Sequence, residues 1–177
     1  MNAYQELLDR IKDIDLIGQI GSLLSWDQEV LMPPKAAPQR AEQLAWISKT
    51  AHERLTDSKI GDLLDEIAGF SELNEIQEAN IRLVREAYER ATKLPTEFVE
   101  EMAKHRSKSL ISWTEAREKD DFSIFREDLS IAIQHAKMKA DFYGFEDLRY
   151  DALLDLYESG LTVKRLDPLF SGLRDNV

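Results

Sequence analysis

Three histidines, His52, His105 and His135, are the residues best suited to metal or acid–base chemistry in this chain of 177 residues. A zinc peptidase helix needs two imidazoles four residues apart, so that consecutive turns present both to one metal. His52-Glu53-Arg54-Leu55-Thr56 opens in that way, but Thr56 stands where the second imidazole belongs. A lone His beside a Glu on a charged helix reads as a solvated surface group. Di-iron carboxylate bundles need Glu three residues before His on two helices. Lys49, Met102 and Ala132 hold those positions here. Glu101 and His105 share a helix face and read as a weak surface pair. There is no Gly-x-Ser-x-Gly elbow, and Gly18-Gln19-Ile20-Gly21 lacks the leading glycine pattern of a phosphate cradle. With 34 acidic residues, no carboxylate pair stands out as an acid–base couple.

Composition narrows the classes further. No cysteine is present, which removes disulfides, thiolate metal sites and thiol nucleophiles. The formal net charge is −11, and an acidic surface repels phosphate backbones, so nucleic acid is not the expected partner. The longest uncharged stretch, Leu16 to Trp26, is far shorter than the roughly 20 apolar residues of a membrane span. It reads as a buried helix, and no membrane partner is expected. The N-terminus lacks a basic-then-apolar signal layout. Cytoplasmic localisation fits these features.

Helices must carry whatever function there is. Tyr4, Leu7, Leu8, Ile11, Ile14, Ile17, Ile20, Leu23 and Leu24 step by three or four, which predicts a first helix of about six turns. Gly18 and Gly21 within it permit close approach of another helix or mark a kink. Pro33-Pro34 ends it, leaving Met32 to Ala37 as a connection, and Pro38 suits the first turn of a second helix. Ala41, Leu44, Ile47, Ala51 and Leu55 form that helix's expected buried face. Thr56-Asp57-Ser58 caps a third with Ile60, Leu63, Leu64 and Ile67, ended by Gly69. Ser71 opens a fourth with Leu73, Ile76, Ile81, Val84 and Tyr88 inward. A fifth runs from about Glu97 to Glu118 and a sixth from about Ser123 to Tyr143. A short one follows around Tyr150, and Thr162 caps a last one with Leu166, Leu169, Phe170 and Leu173. Trp26, Trp46 and Trp113 read as packing residues. The expected fold class is all-α, about seven to eight helices in one bundle-like unit over residues 1–177. The last helix lays down an apolar face that either folds back on this core or lacks a cover.

One segment is too particular for a generic loop. Ser25-Trp26-Asp27-Gln28-Glu29-Val30-Leu31-Met32-Pro33-Pro34 joins a Trp, an acid, an amide and a rigid proline pair at a helix end. It reads either as a Pro-stopped helix end with an inward Trp or as a polar shelf facing a cleft.

Leu23-Leu24-Ser25-Trp26-Asp27-Gln28-Glu29, then Met32-Pro33-Pro34 and Arg40-Ala41-Glu42-Gln43-Leu44-Ala45, resembles the N-terminal signature of the thermostable carboxypeptidase (carboxypeptidase Taq) family. Ala51 to Asp57 and Tyr150 to Thr162 resemble later stretches of that family in the same order. The resemblance implies a helical, cytoplasmic zinc metallocarboxypeptidase that removes C-terminal residues from peptides. It implies zinc held by an HExxH helix and a downstream Glu, with the motif's Glu activating water. Those residues lie beyond the region that matches, so no catalytic, cofactor or metal role passes to any residue here, and no cofactor is expected in this chain. On the family analogy the helices form a wall and lid of a groove. Trp26, Asp27 and Gln28 are the candidate groove-lining residues, beside the alternative that they only fix the turn. Three readings stay open: an incomplete member inactive alone, a free-standing interaction or regulatory module, and half of a split enzyme. The partners to expect are a peptide in a complete enzyme, and a second copy or a missing catalytic portion.

Overall fold

The computed structural model describes residues 2–175. Every regular element among them is helical: eight α-helices and two short 3-10 turns, with no strand. The helices are α1 (Asn2–Val30), α2 (Ala37–Leu55), α3 (Ser58–Ala68), α4 (Glu75–Thr92), α5 (Thr96–Glu118), α6 (Arg126–Tyr143), α7 (Asp151–Leu154) and α8 (Val163–Asp175). The all-α expectation holds. The chain forms two compact units, one through Leu129 and one from Ser130, so the boundary falls within α6. No described helix is long and apolar enough to cross a membrane.

The first unit has its core at the N-terminal end of α1. Ala3, Leu7, Ile60, Leu63, Leu64 and Ile67 are buried together, with Tyr4, Ile11, Ile81, Val84 and Tyr88 packed around them. The α3 cluster is as the sequence predicts. Gly61 lets α3 approach Tyr88, because a Cβ there would lie 2.7 Å from the phenol oxygen. Asp57 caps α3 through the Lys59 amide, as predicted. Helix α4 starts later than Ser71: Asn74 and Gln77 form a capping box, each side chain bonding the other's backbone amide. Ile76 in that first turn is 72% exposed and not inward as predicted, because at about 100° per residue it lies roughly 80–140° around the helix from Ile81, Val84 and Tyr88.

Helix α1 is continuous through Gly18 and Gly21. At Gly21 a Cβ would stand 3.0 Å from Ile47 Cγ2, so this glycine serves the α1–α2 approach; at Gly18 nothing lies within 4 Å. The predicted single stripe of α1 does not stay on one side. Steps of three residues fall about 60° short of a turn, so Ile11, Ile14, Ile17, Ile20 and Leu23 drift around the helix. Leu16, Ile20 and Leu23 emerge on the outer face, 56%, 45% and 63% exposed. The Leu16–Trp26 stretch is therefore not the buried helix expected. The Met32–Ala37 connection contains a 3-10 turn, Pro34–Ala36, and α2 begins at Ala37 with Pro38 in its first turn.

Two further expectations are corrected. Trp26, Trp46 and Trp113 are not core residues; each keeps about half or more of its surface exposed. His52 is not solvated: it is buried, and its Nε2 lies 3.0 Å from the Leu94 carbonyl, tying α2 to the turn before α5.

In the second unit, Gly144 ends α6 in the left-handed region at φ +79°, and the Arg149 Nε donates to Asp141 at 2.8 Å. Asp151 at the start of α7 accepts the Val163 amide at 2.8 Å, so the cap of α8 comes from a residue 12 positions away and not from the Thr162 side chain. Leu169, Phe170 and Leu173 of α8 are each more than half exposed.

Candidate functional site

The Trp26-Asp27-Gln28 triplet lies in the last turn of α1. Successive residues of a helix point about 100° apart, so three neighbours cannot form one shelf unless a cleft surrounds the helix. The three side chains indeed have separate fates. Trp26 is 53% exposed. Asp27 binds the Arg40 guanidinium of α2 at 2.6 Å. The same guanidinium donates to the Leu24 carbonyl and, through Nε, to Gln43 Oε1 at 2.9 Å. Arg40 is thus bonded on three sides and keeps only 12% of its side chain exposed. A planar donor fork suits this junction of two helices and a carboxylate.

Gln28 turns the other way, onto α5. Its Nε2 donates to the Ser107 carbonyl at 3.0 Å, and the Ser107 hydroxyl donates to Gln28 Oε1 at 2.8 Å. Ser107 is buried, so this reciprocal pair satisfies polar groups that would otherwise be desolvated without partners. Beside it lies an open cavity of about 520 Å³, lined by Gln28, Glu29, Ser48, Arg106, Trp113 and Phe125 among others. Gln28 therefore lines a cavity, whereas Asp27 is engaged in a helix junction. Arg40 and Ser107 complete the arrangement. Arg40 stands within a recognisable motif; Ser107 is a lone serine in mid-helix, with no sequence signal of its own.

The outer ties between α2 and α5 are ionic. Lys49 meets Glu100 at 2.9 Å, and that carboxylate holds the Lys49 ammonium above its ordinary value. Lys104 pairs with Glu42. These exposed pairs orient the helices more than they stabilise them.

Two of the histidines, His105 and His52, are each engaged in a tie between elements. His105 Nε2 lies 3.5 Å from Asp128 Oδ1 of α6, while the Ser112 hydroxyl donates to Asp128 Oδ2 at 2.6 Å. A serine nucleophile needs its proton directed to a base such as the imidazole; here the carboxylate receives it, which makes a buried tie between α5 and α6. His52 is committed to the Leu94 carbonyl. Thr56, in the second-histidine position, donates its hydroxyl to the His52 carbonyl at 2.8 Å. Among the described residues no three His, Asp or Glu side chains are grouped to hold a metal.

A long first helix, clamped at its C-terminal end by Arg40 and Ser107 and bare on its outer side, defines a helical scaffold element. The carboxypeptidase Taq (M32) metallopeptidase family matches residues 6–177, and the chain belongs to that family. Thermostable carboxypeptidase 1 of Pyrococcus furiosus is 34% identical over 171 residues, covering 97% of this chain and 34% of the relative. Its counterpart in Thermus thermophilus is 34% identical over 190 residues, covering 99% of this chain and 37% of the relative. Among solved structures, the BsuCP crystal structure superposes with a TM-score of 0.95 at 31% identity, over 99% of this chain and 35% of that one. The M32 carboxypeptidase of Deinococcus radiodurans R1 does so with a TM-score of 0.79 at 30% identity, over 99% and 35%. The chain spans about a third of the length of the relatives it matches.

Proposed function

We propose that these 177 residues form the N-terminal helical portion of a zinc-dependent metallocarboxypeptidase, which releases C-terminal residues from peptides in the cytoplasm. The observation that carries the reading is the ordered match of nearly the whole chain to about a third of a solved relative, at a TM-score of 0.95. In this reading residues 1–177 act as one all-α portion of a larger peptidase fold. They hold no zinc ligand or catalytic Glu, and by themselves they do not hydrolyse peptides. Gln28 and the exposed Trp26 stand at the substrate groove, while Asp27, held by Arg40, and Ser107 set the direction in which that helix end faces.

The test is a chimera in which this chain replaces the matched third of a family carboxypeptidase. Release of C-terminal residues that a chelator abolishes and zinc restores is the expected result. An inactive chimera, or zinc-dependent hydrolysis by the purified 177-residue chain alone, would overturn the proposal. Within an active chimera, Trp26→Ala should raise KM for peptide; unchanged kinetics would remove Trp26 from the groove. Sedimentation of the active chimera tests the expected homodimer.

A further inference from the structure

The outer face of α1 changes character half-way along. Gln5, Asp9, Lys12 and Asp13 occupy its first half, all exposed, with Gln5 and Lys12 bonded to the Asp9 carboxylate. Leu16, Ile20, Leu23 and Val30 occupy the second half of the same face, interrupted by Asp27, and Leu31 follows in the turn after the helix. They are 45–66% exposed, although the opposite side of this half is already packed. At Gly21 it meets Ile47 of α2, and at Gln28 it meets Ser107 of α5. The exposed polar residues Asp15, Gln19 and Ser22 run beside this apolar stripe and not across it, and soluble monomers rarely expose contiguous apolar patches beyond a few hundred Å². Beside it Leu24 and Trp46 line an open cavity of about 570 Å³ together with the polar Gln39, Glu42, Gln43 and Glu100.

We infer that the outer face of α1 from Leu16 to Val30 is a docking surface for the remaining two-thirds of the metallocarboxypeptidase fold. This rests on the function proposed above. Two observations select that occupant. About 65% of the BsuCP chain lies outside the superposed region, so polypeptide of that extent accompanies this helix in a relative of the same local shape. A second copy of this chain is a poor cover, because each carries a net charge of −11. The exposed acids Asp13 and Asp15 flank one end of the face and Glu29 the other. Either direction of pairing would therefore set acids against acids. The covering surface is accordingly apolar at its centre and basic at its ends.

The experiment compares the 177-residue chain with the active chimera, each with and without Leu16→Gln, Leu23→Gln and Val30→Gln together. In the free chain the triple variant should leave the melting temperature nearly unchanged and reduce binding of an apolar dye. In the chimera it should lower the melting temperature by about 5 °C or more and reduce the activity that survives heating. Carbene footprinting is the independent measurement, because it needs no variant. Leu16, Leu23 and Val30 should label in the free chain and be protected in the chimera. Equal labelling in both, or a chimera indifferent to the triple variant, overturns the docking surface while leaving the proposed function intact. A free chain that sediments as a dimer, and dissociates on the triple substitution, overturns it in favour of a second copy. An inactive wild-type chimera overturns the function and the inference together.

Discussion

The two halves of α1 are one helix under two regimes. The first half is amphipathic in the ordinary way: Ala3 and Leu7 enter the core while Gln5, Asp9 and Lys12 face water. The second half keeps an exposed polar strip, Asp15, Gln19 and Ser22, but beside it runs an exposed apolar one. Its inner side is fixed by the Gln28 tie and a glycine contact, and its outer side carries the exposed Leu16, Ile20, Leu23 and Val30, interrupted by Asp27. The first half thus has what a helix in a self-sufficient core needs. The second half is built for contacts on both sides. Burial on one side and polarity on the other stabilise a local fold; an exposed apolar strip opposite a packed side fits an element inside a larger one.

The sharpest contrast is between two leucines of this helix. Leu7→Ala should destabilise the chain by about 2–5 kcal/mol, because Leu7 is fully buried and its loss leaves a cavity. Leu23→Ala should cost no more than about 0.5 kcal/mol, as for other surface changes. Chemical denaturation of both variants measures the difference, and equal effects would erase the distinction between the halves.

Next in size is the polar tie. Gln28→Ala should cost about 1–3 kcal/mol, since it leaves the buried Ser107 hydroxyl without its acceptor. A shift in the denaturation midpoint of less than the error would show that the tie is dispensable.

The glycines separate more finely. Gly18→Ala should stabilise by up to about 1 kcal/mol, because helix propensity improves and nothing lies within 4 Å. Gly21→Ala should give no such gain, because the methyl group meets Ile47 Cγ2 at 3.0 Å. Equal gains in melting temperature would show that α1 and α2 can separate freely.

The smallest effect concerns the polar half. Hydrogen bonds from Gln5 and then Lys12 hold the Asp9 carboxyl below its ordinary value. A carboxyl lowered in the folded state contributes stability above its unfolded pKa and loses it as pH falls through the folded one. Stability from Asp9 is therefore present near neutrality and disappears in acid, below the ordinary value of 3.8. In Gln5→Ala an NMR titration should show Asp9 moving back toward 3.8; no movement would leave Gln5 without that role.

Much of the scaffold was legible because its signals are local. The proline pair after α1, Pro38 in the first turn of α2, the Asp57 cap and the α3 cluster all depend on neighbours within a few residues. The start of α4 was readable too, from Asn74 and Gln77, but Ser71 offered a competing cap upstream. The side chains at the end of α1 were legible as a motif and not as a geometry. Asp27 meets Arg40 across 13 residues, and Gln28 meets Ser107 across 79. His52 looked like a surface residue because the Leu94 carbonyl that receives it is 42 positions away. The three tryptophans read as packing residues from their type, and residue type does not say whether a covering surface is present.

By itself the sequence determined that the chain is helical, where most helices start and stop, and which family it resembles. These follow from backbone propensity, proline and glycine geometry, and ordered motifs, all short-range. Only the tertiary structure decided which side of α1 is covered. An apolar step of three residues drifts around a helix, so the same string of leucines and isoleucines supplies both a buried face and a bare one. Which residues fall on each depends on where α2, α3 and α5 lie against the helix.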